Sequence, residues 1–315
     1  TARMVETVGA EVVLADRRVR RLLGESMALA RPELGCRTLD ELPQGPPQQV
    51  QRRPDDLALV QFSSGTTVDP KPVALSHRAV VAQTRLLNRH WPDTPERRHR
   101  GVSWLPLYHD MGLIGCIFPA LERPGPLTLI RPEDFIVRPA LWLRAISRDR
   151  ATLSVAPTFA YGLCVDRVRD DELEGVDLSS WEVALCGAEA VAPSVVRAFQ
   201  ERFAPHGLRS GAVTPVYGLS EAALAVTFSD LTRPFSSRRF HRARLSEGEA
   251  EEVDDGLELV SVGRPLPGFS LEVRDAAGTS LPDGRVGELF VRGPSLMDGY
   301  LGQPERGPGE GLRTG

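Results

Sequence analysis

The sequence predicts an α/β protein: multi-stranded sheets covered by helices, followed from about residue 256 by a small β-barrel subdomain. Three observations carry this. Between residues 57 and 207, short apolar runs of strand length alternate with stretches of helical periodicity, the rhythm of α/β layers. From residue 256 that rhythm gives way to short strands separated by turn chemistry, with "DAAG" and "PDG" between "LELVSVG", "SLEVRDAAG" and "GELFVRG". The chain of 315 residues, 41% hydrophobic and 25% charged, is long enough to bury a large core.

Taken in order, "EVVLAD" reads as a short strand and "RRVRRLLGESMALA" as a helical stretch, leading to the proline-rich connector "ELPQGPPQQVQRRPDD". The strand "LALVQF" (57–62) then delivers the chain into "SSGTTVDPK". "SHRAVVAQTRLLNRHW" follows with helical periodicity and Ser76 as N-cap, so the expected order is strand, glycine loop, helix. Further strands are expected at "GVSWLPL", "LTLI", "TLSVAP" and "WEVALCG", and helices at "RPALWLRAISRD" and "PSVVRAFQERFAPHG". Boundaries near residues 50 and 255 divide the chain into 1–50, 51–255 and 256–315. The first residue is not methionine and "GLRTG" carries no stop signal, so both ends read as cut and the sequence as a piece of a longer chain.

Composition removes several function classes. A net charge of −4, with arginines scattered among acids, gives no basic stripe for nucleic acid. The longest apolar run, "MGLIGCIFPAL", falls well short of the roughly 20 residues of a membrane span and contains a proline. The N-terminus lacks the basic start and apolar core of a secretory signal. Cys36, Cys116, Cys164 and Cys186 are far apart, without metal-ligand spacing and in largely apolar surroundings, which predicts reduced thiols and a cytoplasmic protein.

Three stretches carry chemistry. In "FSSGTTVDPK", amides around a glycine, adjacent hydroxyls and Lys71 make a candidate phosphate cradle. It lacks the Gly-x4-Gly-Lys-Ser/Thr spacing of the usual P-loop, and alone it reads more readily as a connector. "VYGLSEAAL" offers Tyr217 as a stacking face and Glu221 as a magnesium ligand, or simply a helix cap with an acidic first turn. "SWLPLYHDMGLIG" sets Tyr108, His109 and Asp110 as a polar edge before an apolar run, the pattern of a pocket rim, although a lone histidine is commonly structural.

Together and in this order, these stretches resemble the adenylate-forming superfamily, the acyl- and aryl-activating ligases related to luciferase. The resemblance extends over almost the whole chain, with "CGAEAV" similar to the adenine-pocket segment and "SVGRPLPG" and "GELFVRGPSLMDGY" to the barrel subdomain. "LRTG" resembles the start of a Thr-Gly-Asp motif cut before its ribose-binding aspartate, and about a hundred leading residues and the C-terminal swinging domain with its lysine are expected to lie outside the sequence. On this resemblance, residues 1–50 end a truncated N-terminal subdomain, 51–255 bind nucleotide and acyl group, and the 315 residues alone adenylate poorly. Within the superfamily, "SWLPLYHDMGLIG" looks most like the fatty-acyl-AMP ligases. So does the polar stretch "SDLTRPFSSRRFHRARLSEGEAEEVDDG" in the 41 positions from Glu221 to Val262, which is similar to their insertion and otherwise reads as a solvated loop.

The resemblance implies ATP-dependent activation of a fatty acid as its acyl adenylate with Mg²⁺, for transfer to an acyl carrier protein. Coenzyme A is the alternative acceptor, and a nucleotide-binding or scaffold module without activity is the alternative of another class. Ser63, Ser64, Gly65, Thr66, Thr67 and Lys71 are assigned by it to the β- and γ-phosphates. Gly187, Ala188, Glu189 and Tyr217 are assigned to the adenine pocket, Gly218 and Leu219 to nucleotide binding, Ser220 to the α-phosphate and Glu221 to Mg²⁺. His109, Asp110 and Met111 are placed at the carboxylate end of the acyl site, with Phe159 along its tunnel. Lys71, Glu221 and His109 are the catalytic candidates. The sequence departs from the pattern at Pro72, where glycine is common. That departure predicts a stiffer loop end with one hydrogen bond fewer. No Gly-x-Ser-x-Gly elbow occurs, which disfavours a serine hydrolase.

Overall fold

Apolar alternation in the strands and amphipathic periodicity in the helices place most elements where the sequence predicts them. A computed structural model describes residues 1–46, 49–63, 70–91, 98–304, 306–307 and 309–314. The chain opens with α1 (Ala2–Thr7), β1 (Val13–Leu14), α2 (Arg17–Leu22), α3 (Gly24–Ala30) and β2 (Cys36–Arg37). The single helical stretch expected over 17–30 is thus two helices, broken at Leu23–Gly24, with Asp16 capping the first through Val19 N–H at 2.7 Å. Then come β3 (Leu57–Phe62), β4 (Pro72–Ser76) and α4 (His77–His90). Strand β4 corrects the expected order of strand, loop, helix. "PVALS" pairs antiparallel with β3, Phe62 opposite Pro72 and Gln61 opposite Val73, and buries Val73 and Leu75 completely. Proline is accommodated because it is the first residue of the strand.

The central layer follows with β5 (Gly101–Ser103), α5 (Asp110–Gly112), a π-helical turn (Leu113–Ile117), α6 (Phe118–Glu122), β6 (Leu127–Leu129), α7 (Pro132–Val137) and α8 (Ala140–Asp149). It continues through β7 (Leu153–Ala156), α9 (Thr158–Arg167), β8 (Val183–Cys186), α10 (Pro193–Phe203), β9 (Val213–Gly218) and β10 (Ala225–Phe228). The last elements are β11 (Ser237–Phe240), α11 (Arg242–Ser246), β12 (Leu257–Val260), β13 (Arg264–Pro265), β14 (Ser270–Arg274), β15 (Glu288–Arg292), β16 (Gly299–Tyr300) and β17 (Leu312–Arg313).

Seven strands form one sheet in the order β13-β10-β9-β8-β7-β5-β6; β6, β5, β7, β8 and β9 are parallel, and β10 and β13 add an antiparallel edge. Both faces are covered, and β8 shows how. Ala184 and Cys186 enter one core cluster with Trp142, Trp181 and Phe199, while Val183 and Leu185 enter the other with Leu75, Ile114 and Val226. Two polar atoms taken into the aromatic cluster are satisfied, Trp142 Nε1 donating to Ser154 Oγ at 2.9 Å and Tyr161 Oη to the Leu185 carbonyl at 2.8 Å, whereas the buried Trp104 Nε1 has no partner.

Strands β14, β15 and β17 form an open three-stranded antiparallel sheet, while β16 leaves it to pair with β4, and a closed barrel is not formed among the described residues. The charged stretch after Glu221 is an ordered hairpin. In it β11 pairs with β12, Arg197 of α10 grips Glu258 with both guanidinium nitrogens, and Arg244 pairs with Glu247, Glu249 and Glu251. Among the described residues, no helix is long and apolar enough to cross a membrane.

Candidate active site

Most of the candidate residues follow the carboxyl ends of parallel strands, where an α/β sheet leaves a crevice. Gly187, Ala188 and Glu189 follow β8; Tyr217 and Gly218 end β9 and lead into Leu219, Ser220 and Glu221; His109, Asp110 and Met111 follow β5. Between β9 and β10 the chain reverses through a 3₁₀ turn, Ser220–Ala222, where the sequence left a helix cap open. Gly218 is required at this reversal, because a Cβ there would lie 2.0 Å from the Leu224 carbonyl oxygen across the hairpin. Ala188 is held at φ 69°, a left-handed conformation costly for alanine, at the rim of the cavity described below.

Asp110 organises the polar end of the site. It is 5% exposed, and its Oδ2 accepts from Ser220 Oγ at 2.6 Å across 110 positions of sequence. Its Oδ1 lies 2.7 Å from His109 Nδ1 and accepts from Met111 N–H at 2.7 Å. The hydrogen bond to Asp110 raises the His109 pKa above its ordinary 6.5, partly offset by burial. Because the carboxylate stands between Ser220 and His109, the imidazole is not hydrogen-bonded to the serine hydroxyl as a nucleophile's base would be. Burial pushes the Cys186 thiol up to about 12, so that sulfur offers no thiolate nucleophile either.

A cavity opens on this cluster. It is lined by His109, Asp110, Met111, Ala188, Tyr217, Gly218, Leu219 and Ser220 at its polar side and by Leu87, Leu224 and Phe228 deeper in. A second, mainly apolar cavity lined by Cys116, Pro119, Ala120 and Leu127, with Asn88, Arg98, His99 and Arg123 also in its wall, shares Trp91, Gly115, Val155 and Leu185 with the first, so the two adjoin at those residues. Gly187, Glu189, Glu221 and Phe159 line neither cavity. Glu189 instead accepts from Phe159 N–H at 2.7 Å at the start of α9, and the Phe159 ring is 47% exposed against the edge of Trp104.

On the phosphate-loop side, Ser64, Gly65, Thr66 and Thr67 lie outside the described residues. Ser63 and Lys71 close the loop's base: Ser63 N–H donates to the Lys71 carbonyl at 2.9 Å and Lys71 N–H to Ser63 Oγ at 3.2 Å. The contacts at the loop's base belong to the neighbour of Pro72, whose own carbonyl accepts from Leu301 N–H at 2.8 Å while its ring nitrogen has no hydrogen to donate. The sequence reading missed Tyr300. Its hydroxyl donates to Glu221 Oε1 at 2.8 Å, and Lys71 Nζ stands 5.1 Å from its ring centroid. The signal was present in the quoted "LMDGY", but nothing local ties that tyrosine to residues so distant in sequence.

Among the described residues there is no group of three or more His, Cys, Asp or Glu able to cage a metal. Magnesium takes one or two carboxylates together with substrate phosphates and needs no such cage, so a single carboxylate such as that of Glu221 would suffice to hold it.

Fold and site define an adenylate-forming class of protein, and the comparisons agree. The family model described as AMP-binding enzyme matches residues 2–301, and the chain belongs to that family. It is 37% identical over 254 residues to the 4-hydroxyphenylalkanoate adenylyltransferase of Mycobacterium marinum, covering 79% of this chain and 41% of that protein. It is 35% identical over 258 residues to the medium-chain-fatty-acid–[acyl-carrier-protein] ligase TtuA of Teredinibacter turnerae, covering 80% of this chain and 40% of that protein. A solved structure from work on fatty acyl-adenylate ligases of E. coli and L. pneumophila superposes with a TM-score of 0.89 at 32% identity, over 100% of this chain and 59% of that one. The chain thus spans less than half the length of these two curated relatives.

Proposed function

We propose that the protein carrying this chain activates a fatty acid with ATP, releasing pyrophosphate and forming the acyl adenylate, and passes the acyl group to an acyl carrier protein. The observation that carries the reading is the pair of adjoining cavities. A polar head at His109, Asp110 and Ser220 adjoins a mainly apolar interior that suits a carboxylate with a hydrocarbon tail. The relatives that name an adenylyltransferase and a carrier-protein ligase support the same chemistry.

In this reading a carboxylate oxygen attacks the α-phosphorus, the bond to the bridging β-oxygen breaks, and pyrophosphate leaves with that electron pair. The protein's part is placement and charge. Ser63, Ser64, Gly65, Thr66, Thr67 and Lys71 receive the β- and γ-phosphates, Lys71 adding positive charge beside the departing pyrophosphate. Ser220, held by Asp110, faces the α-phosphate, and His109 sits by the incoming carboxylate with Met111. Tyr217, Gly218 and Leu219 line one side of the base pocket, with Gly187, Ala188 and Glu189 opposite. Glu221 would hold Mg²⁺, which neutralises phosphate charge when bound. Residues 1–50, 51–255 and 256–315 serve as the end of an N-terminal subdomain, the nucleotide and acyl region, and a barrel-type subdomain. The protein works in the cytoplasm.

Incubation of the full-length protein with ATP, Mg²⁺ and a fatty acid is expected to give acyl adenylate and ATP–pyrophosphate exchange. Offered both acceptors, it should load a carrier protein in preference to coenzyme A. Ready formation of acyl-coenzyme A would overturn the acceptor assignment, and absence of any adenylate would overturn the enzyme reading in favour of a binding module.

A further inference from the structure

The segment Ser295–Leu301 reaches both Glu221 and Lys71 of the candidate site. Ser295 Oγ lies 2.9 Å from Gln83 Oε1 of α4 and donates to the Ala222 carbonyl at 2.9 Å. Met297 N–H donates to the Glu221 carbonyl at 2.7 Å. Asp298 Oδ2 accepts from Ser76 N–H at 2.7 Å, where α4 begins. Tyr300 lies on β16, which pairs antiparallel with β4 immediately after the phosphate loop, Tyr300 opposite Val73. From that position its hydroxyl binds Glu221 Oε1 and its ring faces the Lys71 ammonium. Lys71 precedes β4 and Glu221 follows β9, strands of different sheets, and the Tyr300 side chain contacts both.

We propose that Tyr300 is a positioning residue that fixes the separation of the phosphate-loop cation and the metal-binding carboxylate; this rests on the reading of Glu221 and Lys71 as magnesium and phosphate ligands. By donating to Oε1, the hydroxyl holds the Glu221 carboxylate in one orientation and leaves Oε2 to face a cation. The ring supports Lys71 from below, electrostatically and without competing for its N–H donors. Since β16 is hydrogen-bonded to β4, the spacing is set by a backbone ladder and not by two flexible side chains.

The test is nucleotide binding as a function of magnesium, which needs no turnover. Full-length wild type and Tyr300→Phe are titrated with a fluorescent ATP analogue at a series of Mg²⁺ concentrations. A hydrogen bond to a charged group corresponds to about a tenfold change. Tyr300→Phe, which keeps the ring, is therefore expected to raise the half-saturating Mg²⁺ about tenfold while leaving nucleotide affinity without Mg²⁺ unchanged. In a Glu221→Gln background the same substitution is expected to do nothing further, as a residue acting through Glu221 requires. Tyr300→Leu, which also removes the ring, should additionally weaken nucleotide binding without Mg²⁺. An unaltered magnesium dependence in Tyr300→Phe, or an undiminished effect in the Glu221→Gln background, overturns the proposal while leaving the adenylating reading intact. Failure of the wild type to bind nucleotide at all overturns both.

Discussion

His109 holds its proton more tightly than a free imidazole because a buried carboxylate is hydrogen-bonded to it. The sign of the consequence follows from linkage. A group whose folded pKa is raised adds stability that is fully present below the unfolded value, near 6.5, and is lost as pH rises through the folded value. The melting temperature of wild type minus that of His109→Gln is therefore expected to be largest below about pH 6 and to shrink towards pH 8. A difference that stays constant across that range, read by scanning fluorimetry, would contradict the assignment. Residues of this kind stand out in sequence where they cluster in short motifs: "YHDM" and "GLSE" contain His109, Asp110 and Ser220, which line one cavity, and Glu221, which follows Ser220 but lines neither cavity. The side-chain bond between Asp110 and Ser220 was not legible, nor was the left-handed backbone of Ala188, because both are set by packing between strands and leave no local mark.

At the level of elements, the segment after β5 is the most specialised. Three residues of α5 pass into a π-helical turn, Leu113–Ile117, a geometry found disproportionately at functional sites, and then into α6. Gly115 lies in that turn where the two cavities adjoin, and a Cβ on it would meet Leu224 Cδ2 at 2.9 Å. Gly115→Leu is expected to close the passage, lowering kcat/KM for a long acyl chain relative to a short one by about tenfold or more, a size typical of pocket discrimination. Pyrophosphate exchange with hexanoate and myristate measures it, and an unchanged ratio would remove Gly115 from the passage. Helices α4, α8 and α10 and strand β3 were readable from periodicity and from Ser76 as a cap. Strand β4 was not, because its proline and flanking lysine resemble loop chemistry while its strand character comes from neighbours on both sides.

For the whole molecule, the order of layers was legible in the alternation of strand and helix patterns, whereas sheet order was not. The pairing of β16 with β4, and the open form of the β14-β15-β17 sheet, depend on contacts far apart in sequence. The charged insertion was read as polar and exposed, and its polarity gave no sign of the hairpin that the Arg197–Glu258 pair fastens to α10. Exposed pairs hold local order more than global stability. Arg197→Ala is accordingly expected to speed amide exchange along β11 and β12 while moving the overall melting temperature by no more than about 1 °C; unchanged exchange there would show that the pair fastens nothing. The strap over residues 295–301 has a different consequence, one of timing. Ser76 and Asp298 are 222 positions apart, so a ribosome must make nearly the whole described chain before that bond can form. Lys71 and Glu221 emerge well before their shared tyrosine, and a nascent chain therefore carries both charges without the clasp that sets their spacing.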